Sequence, residues 1–288
     1  MSDRLELNRR AALATMITGA GVLVGAQASA QAQDPILKGG LKQSVCKWCY
    51  SKISLDDLCK EAAAMGLKAI DLLNEDEWAT CTKYGLICAM ANGPSGIKEG
   101  WNLPSDHEKL IKESERLLPL VAEAGIPNMI VFSGNRRGIA DDVGMDNCAA
   151  GLKKIMPLAE KLGVNVVMEL LNSKHDHADY QCDHTAWGVG LCEKIGSDRF
   201  KLLYDIYHMQ IMDGDVIATI RQYHPYFAHY HTGGVPGRAE IDETQELNYR
   251  TICQAIVETG FTGYLAQEFI PKQDPITSLR RCAQICDV

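Results

Sequence analysis

The sequence predicts an α/β fold of the (β/α)₈ TIM-barrel class, in a single domain that follows an N-terminal signal segment. Short apolar segments alternate with helix-like segments eight times between residues 42 and 286. Apolar runs such as FKLLYD at 200–205 are continuous, which is typical of parallel strands that are buried on both faces. No G-x-G-x-x-G or G-x-x-x-x-G-K-S/T motif follows a strand, so a barrel is favoured over a doubly wound sheet.

The first 30 residues are predicted to be a Tat-type signal peptide. Arg9 and Arg10 form a twin-arginine pair, an apolar stretch at 11–24 follows, and A-x-A sequences close the segment at 26–30. An uncleaved N-terminal anchor is the alternative. The predicted boundaries are 1–30 for the signal peptide, 31–40 for a linker and 41–288 for the barrel. The Tat export machinery is therefore a predicted partner, and the predicted location is periplasmic or otherwise exported.

The predicted helices begin and end at residues that favour such boundaries. Ser54 is a predicted N-cap with acidic residues in the first turn, and Gly66 is a natural stop. Gly125 and Gly163 end two further helices. The predicted helices cover 54–66, 75–83, 106–124, 146–162, 185–195, 213–223, 247–258 and 275–286.

The predicted strands lie between these helices. The sixth opens the segment 200–210, which presents Asp205 and then His208 where the apolar run stops. A long loop with glycine and proline at 92–104 follows the third strand, and loops of this length are often functional. The other strands are predicted at 42–48, 68–73, 86–91, 128–133, 164–171, 228–231 and 263–269.

Composition excludes several classes of protein. The net charge of −8 and the pI near 5.5 argue against a nucleic-acid partner, because a phosphate-backbone binder needs a basic surface. The eleven cysteines are odd in number and irregularly spaced, which argues against a disulfide framework and leaves one or two disulfides open. Cys46 and Cys49 form a C-x-x-C pair without a second pair at zinc-finger spacing, so a structural zinc site is not predicted.

Four predicted strands end in side chains that bind metals. Glu169 ends the fifth strand, Asp205 the sixth, His231 the seventh and Glu268 the eighth. The carboxyl ends of the strands build the active site of such a barrel. Three carboxylates and one imidazole suit Mn²⁺, Mg²⁺ or Co²⁺, and a bound cation would offset the repulsion between the carboxylates.

The chain resembles the hydroxypyruvate isomerase family, which belongs to the xylose-isomerase-like sugar isomerases and epimerases. The segments VMELLN, LLYDIYHMQIMDGD, HYHTGGVPGR, ELNYRTI and GYLAQEFIP carry the resemblance, which is densest over 164–271. The resemblance implies that Glu169 and Glu268 form the catalytic acid/base pair, that His208 and Arg238 hold substrate oxygens, and that Glu240 supports them. The implied metal ligands are Glu169, Asp205, His231 and Glu268.

The resemblance implies a divalent-metal-dependent isomerase that acts on an α-hydroxy carbonyl compound through a cis-enediolate. The cation would act as a Lewis acid, one glutamate would remove a proton, and a glutamate would return it to the neighbouring carbon. For hydroxypyruvate the product would be tartronate semialdehyde. The expected partner is therefore a small hydroxy-carbonyl or keto-sugar substrate, and homo-oligomerisation is left open.

Two departures from the family pattern keep other activities open. Hydroxypyruvate isomerases carry glutamine at the metal position of the seventh strand, whereas His231 resembles the ketose 3-epimerases. An exported enzyme is also misplaced for hydroxypyruvate, which is a cytoplasmic metabolite. The alternatives are an exported ketose or keto-sugar 3-epimerase, a 3-keto-glycoside lyase with the same metal site, and a periplasmic sugar-binding barrel without turnover.

Overall fold

The computed structural model describes residues 37–288, and the predicted signal peptide lies outside the described residues. Within that range eight parallel strands form a closed barrel in which each strand pairs with the next in sequence and the eighth pairs with the first. The predicted fold class is therefore confirmed. No helix in residues 37–288 is long and apolar enough to cross a membrane.

All eight predicted strands are present in the predicted order. Their burial is nearly continuous, as in β5, where four of the five residues are buried, because helices cover the outside while side chains fill the inside. The bounds are β1 Lys42–Cys46, β2 Ala69–Leu73, β3 Ile87–Ala91, β4 Asn128–Val131, β5 Asn165–Glu169, β6 Phe200–Asp205, β7 Phe227–His231 and β8 Tyr264–Gln267.

The helices follow the predictions with one addition and one correction. A short helix that was not predicted follows the sixth strand at Ile206–Met212, and the Asp205 side chain caps it by accepting from the His208 N–H. The segment predicted as one helix at 146–162 forms two, because Pro157 in the first turn of the second helix has no N–H to continue a helical ladder. The bounds are α1 Leu55–Met65, α2 Trp78–Thr82, α3 His107–Glu123, α4 Asp141–Leu152, α5 Met156–Leu162, α6 Thr185–Ile195, α7 Ile206–Met212, α8 Val216–Tyr223, α9 Tyr249–Glu258 and α10 Pro275–Ile285.

The predicted caps of α1 are confirmed in detail. The Ser54 hydroxyl accepts a hydrogen bond from the Asp57 N–H, and Gly66 ends the helix in the left-handed conformation with a φ of 90°. The eleven cysteines are all free thiols and ten of them are buried, so they pack as small apolar side chains.

The long loop between β3 and α3 packs closely on the carboxyl end of β4. Trp101 N–H donates to the Phe132 carbonyl at 3.2 Å, and Asn102 N–H donates to the Ser133 carbonyl at 2.8 Å. A Cβ atom at Gly93 would lie 1.8 Å from the Ile130 carbonyl oxygen, so only glycine permits this approach. The loop is therefore held against the barrel end, where strand-end side chains meet.

We expect Gly93→Ala to destabilise the fold by about 1–3 kcal/mol, because the new methyl group would displace backbone rather than a flexible side chain. Gly96→Ala is the matched control in the same loop, since its Cβ would meet nothing within 4 Å. Urea unfolding of both variants measures the difference. Equal free energies of unfolding would show that the loop does not depend on this contact.

Candidate active site and metal centre

Four side chains converge at the carboxyl end of the barrel. They are Glu169 at the end of β5, Asp205 at the end of β6, His231 at the end of β7 and Glu268 directly after β8. One ligand atom from each lies within 4.8 Å of one from every other, and all four residues are buried. The structure thus brings together the four residues that the sequence singled out as metal ligands.

Strand register explains the convergence. Asp205 pairs with His231, so both side chains point to the same side of the sheet. Glu169 pairs with Leu203, two residues before Asp205, and therefore has the same orientation. Glu268 lies two residues beyond Ala266, which pairs with His231, so the Glu268 side chain has the same orientation as well. Every second residue faces the same way, so all four side chains face the barrel interior.

Positive charge holds the carboxylates together in this structure. Arg238 Nη2 donates to Asp205 Oδ2 at 2.8 Å and also contacts Glu268 Oε2. His231 Nδ1 lies 2.6 Å from Glu268 Oε2 and 3.4 Å from Glu169 Oε1. The cluster therefore combines three carboxylates with a guanidinium and an imidazole.

Burial raises the pKa values of two of these carboxyl groups, and the positively charged neighbours set the two values apart. Burial raises the pKa of Asp205 to about 8 against the opposing effect of Arg238. Burial also raises the pKa of Glu268, but Arg238 and His231 outweigh it and hold this pKa well below its usual range. Two neighbouring carboxyl groups thus differ in protonation near neutral pH.

The donor set fits a divalent cation. Three carboxylate groups and one imidazole supply hard oxygen ligands and one nitrogen, a combination suited to Mg²⁺, Mn²⁺ or Co²⁺. The Arg238 guanidinium already places a positive charge beside Asp205 and Glu268, so the cluster accommodates positive charge. Glu169, Asp205, His231 and Glu268 are the residues that would hold it.

Arg238 and His208, the predicted substrate-binding residues, lie beside this cluster and line the cavity above it. Arg238 Nη1 is 2.6 Å from His208 Nε2, and the guanidinium stacks 4.8 Å from the centre of the Tyr207 ring. Burial, with a further effect of Arg238, lowers the pKa of His208 well below its usual range. The imidazole is therefore neutral.

Glu240, which was expected to support these residues, binds the segment that follows β8. Its Oε1 accepts hydrogen bonds from the N–H groups of Lys272 and Gln273 at 2.9 and 3.1 Å, and from the Ser278 hydroxyl at 2.8 Å. These bonds fix the segment between β8 and α10. The same segment holds Arg238, because the Ile270 N–H donates to the Arg238 carbonyl at 2.7 Å.

The cavity has a volume of about 510 Å³. Polar residues, including Glu169, His208, Arg238 and Glu268, line it together with apolar ones. Trp48 lines it and binds the site directly, because its indole N–H donates to Glu268 Oε1 at 2.6 Å. The apolar lining comes from Trp48, Leu72, Ile97, Phe132, Leu171 and Ile270.

Sequence reasoning missed a buried layer beneath the cluster. Asp71 Oδ2 on β2 lies 2.5 Å from His229 Nε2 and 3.5 Å from His231 Nε2. Burial raises the pKa of Asp71, but the two histidines outweigh it and lower this pKa to about 2. The i, i+2 spacing of the histidines in HYH could have indicated that His229 shares the face of His231.

A closed (β/α)₈ barrel with buried acids and an imidazole at the carboxyl ends of its strands is the architecture of a barrel enzyme. Residues 59–284 match the family described as the xylose isomerase-like TIM barrel. The chain belongs to that family.

Similar proteins agree with this assignment. The human protein named "Putative hydroxypyruvate isomerase" is 30% identical over 249 residues, which cover 81% of this chain and 90% of that protein. The 2-oxo-tetronate isomerase of Cupriavidus necator is 31% identical over 238 residues, covering 77% of this chain and 90% of that protein. A solved D-psicose 3-epimerase shares the fold, with a TM-score of 0.69 at 17% identity over 85% of this chain and 96% of that chain. The chain is thus an isomerase-like enzyme.

We expect Asp71→Asn to destabilise the protein by about 3–5 kcal/mol, because it removes the buried partner of two histidines. Asp76→Asn is the control, since Asp76 is exposed and the change should stay within about 0.5 kcal/mol. Urea unfolding of the metal-free proteins gives both values. A loss as small as that of the control would mean that the two histidines do not need this carboxylate.

Proposed function

We propose that the protein is a divalent-metal-dependent isomerase that moves a proton between neighbouring carbons of an α-hydroxy carbonyl compound. Hydroxypyruvate, with tartronate semialdehyde as its product, is the first substrate of this proposal. The observation that carries the proposal is the convergence of Glu169 and Glu268 on one buried site with Asp205 and His231. The relatives named as hydroxypyruvate and 2-oxo-tetronate isomerases support it.

The proposed cofactor is Mn²⁺, Mg²⁺ or Co²⁺, held by Glu169, Asp205, His231 and Glu268. Such a cation polarises carbonyl and hydroxyl oxygens and so acidifies the neighbouring C–H bond. Side chains of this protein would then transfer the proton and bind the substrate.

Glu268 is ionised and therefore available to accept the proton. Its pKa lies well below the usual range, against the effect of burial, because Arg238 and His231 favour the ionised form. The Trp48 indole N–H fixes its Oε1 at 2.6 Å. Glu169 approaches the same imidazole from β5, with its Oε1 3.4 Å from His231 Nδ1. Two glutamates around one small site can remove a proton from one carbon and return it to the next.

His208 and Arg238 complete the proposed site. Both line the cavity and lie beside the carboxylates, where the substrate oxygens would be held. Arg238 offers a fixed positive charge to the oxygen that becomes negative in the enediolate.

A ketose or keto-sugar 3-epimerase is the second candidate. The cavity of about 510 Å³ lies within the range of about 300–1,000 Å³ that holds drug-sized ligands, which leaves room for much more than a three-carbon acid. His231 also resembles the ketose 3-epimerases, in place of the glutamine that is typical of hydroxypyruvate isomerases. The two glutamates would then return the proton from the opposite face instead of to the next carbon.

We expect Glu268→Gln to reduce solvent deuterium exchange into the substrate by about 10²–10⁴-fold, because the amide cannot accept the proton. Glu243→Gln is the control, since Glu243 is a largely exposed acid that pairs with Arg281. The mature protein, which lacks the predicted signal peptide, is loaded with Mn²⁺ and incubated with the substrate in deuterated solvent. The paramagnetic ion is then removed by chelation, and NMR measures the deuterium in the substrate. Wild-type exchange in Glu268→Gln would rule out the proposed mechanism.

The same assay separates the candidate substrates. Exchange into hydroxypyruvate with an aldehyde product supports the first candidate. Exchange into a ketohexose alone supports the epimerase, and elimination from a 3-keto-glycoside supports a lyase. No exchange with any of the three would contradict the proposed reaction.

Export through the Tat pathway is also part of the proposal, on the evidence of the twin arginines. We expect replacement of both Arg9 and Arg10 by lysine to leave uncleaved precursor in the cytoplasm of a bacterial host. Arg4→Lys is the control, because Arg4 precedes the pair in the same basic region. Cell fractionation and immunoblotting measure the distribution. Normal export of the double variant would contradict this pathway.

A further inference from the structure

The two ring nitrogens of His208 both face hydrogen-bond donors. Asn172 Nδ2 lies 2.6 Å from His208 Nδ1, and Arg238 Nη1 lies 2.6 Å from His208 Nε2. A neutral imidazole has one N–H and one lone pair, so it can accept from only one of these donors. At one of the two nitrogens an N–H of His208 therefore faces another N–H donor. Whichever of these two contacts is lost decides which nitrogen of His208 carries the proton.

The orientation of the Asn172 amide is fixed by its other partners. Its Oδ1 accepts hydrogen bonds from the N–H groups of His175 and Asp176, both at 3.0 Å, and its Nδ2 donates to Asp176 Oδ2 at 2.7 Å. A flipped amide would place its NH₂ against two backbone N–H groups and its oxygen against a carboxylate. The second hydrogen of Nδ2 is therefore committed to His208 Nδ1.

Further hydrogen bonds fix the Asp176 carboxylate and the backbone around Asn172. Tyr207 donates its hydroxyl hydrogen to Asp176 Oδ2 at 2.7 Å, and the backbone carbonyl of Asn172 accepts the N–H of His177 at 3.1 Å. Asn172 is itself fully buried. The amide thus belongs to a network with several mutually supporting bonds, which makes its rotation costly.

Arg238 is the partner that can move. Its guanidinium also bonds to Asp205 Oδ2 at 2.8 Å and contacts Glu268 Oε2, so the loss of one contact leaves it paired. It lies at the cavity wall on a long side chain, whereas Asn172 is short and enclosed. The contact between Arg238 and His208 is therefore the one that gives way.

We infer that Asn172 holds His208 in the tautomer with the proton on Nε2, which directs a hydrogen-bond donor into the cavity beside Asp205. The Nε2 atom lies 3.7 Å from Asp205 Oδ2, and His208 lines the cavity. Asn172 is a positioning residue, because it acts through His208. The sequence offers Asn172 only as the residue that follows the fifth strand and two leucines.

The inference rests on the proposed function for its chemical consequence. An Nε2–H donor stabilises a substrate oxygen that gains negative charge as a proton leaves carbon, whereas a bare Nε2 would repel it. The site thus selects a substrate with an oxygen acceptor next to the reacting carbon, as an α-hydroxy carbonyl compound has.

The test reads the tautomer directly. Long-range ¹H–¹⁵N correlation spectra of the histidine rings distinguish Nε2–H from Nδ1–H, and comparison with His208→Asn assigns the signal among the eight histidines. The samples are the mature protein without metal and the same protein loaded with Mg²⁺, an ion chosen because it is diamagnetic. We expect a neutral Nε2–H ring in both samples. An Nδ1–H ring or an imidazolium in the wild type overturns the inference without any variant.

Asn172→Asp tests the cause. A carboxylate still accepts the two backbone N–H groups but now accepts from His208 Nδ1, so we expect the ring signal to shift to Nδ1–H. In the exchange assay we expect kcat to fall by about 10²–10³-fold with KM changed much less, as for the loss of one oxyanion donor. Lys174→Ala is the control, because Lys174 lies exposed in the same loop with its ammonium on the Ile211 carbonyl.

The outcomes separate the inference from the proposed function. An Nε2–H signal that persists in Asn172→Asp overturns the assignment of Asn172. The expected signals without exchange on any α-hydroxy carbonyl substrate would refute the proposed reaction and leave the tautomer assignment standing. Should Asn172→Asp fail to fold, Asn172→Ser serves in its place, with a mixture of tautomers expected because the amide donor is gone.

Discussion

The burial of three carboxylates in one small volume is the constraint on which the rest of this site depends. Glu169, Asp205 and Glu268 lie with ligand atoms within 4.8 Å of one another in a barrel whose walls are apolar. Like charges at such distances in a low dielectric are unstable unless positive charge lies among them. Arg238 and His231 supply that charge in this structure, and the opposite pKa shifts of Asp205 and Glu268 show how unevenly it is shared.

The backbone around Arg238 shows what its placement requires. Arg238 has a φ of 53°, a left-handed conformation that costs a non-glycine residue about 1–3 kcal/mol when the surroundings impose it. Its N–H donates to the Gly234 carbonyl at 2.8 Å, and its carbonyl accepts from Ile270. Glu240 fixes the segment after Ile270 through Lys272 and its neighbours. Several bonds thus hold one strained residue, whose side chain is directed at the carboxylates.

The sequence predicts best what depends on periodicity. The strand-end acids could be found because eight parallel strands place their carboxyl ends together, and because residues two apart share a face. The break before Pro157 was missed because a helical pattern continues across it. Asp71 and Asn172 could not be predicted, since each lies far in sequence from the histidine that it contacts. Glu240 lies close to the site in sequence, yet its partners are backbone groups that only the folded loop defines.

Arg238 links the proposed metal site to His208. Arg238 Nη2 contacts Asp205 Oδ2 and Glu268 Oε2, and both residues belong to the set that would hold a divalent cation. Guanidinium and cation are therefore alternatives at these atoms, because either one compensates the same negative charge. The same guanidinium lies 2.6 Å from His208 Nε2. Arg238 therefore contacts both the proposed metal ligands and the histidine proposed to bind the substrate.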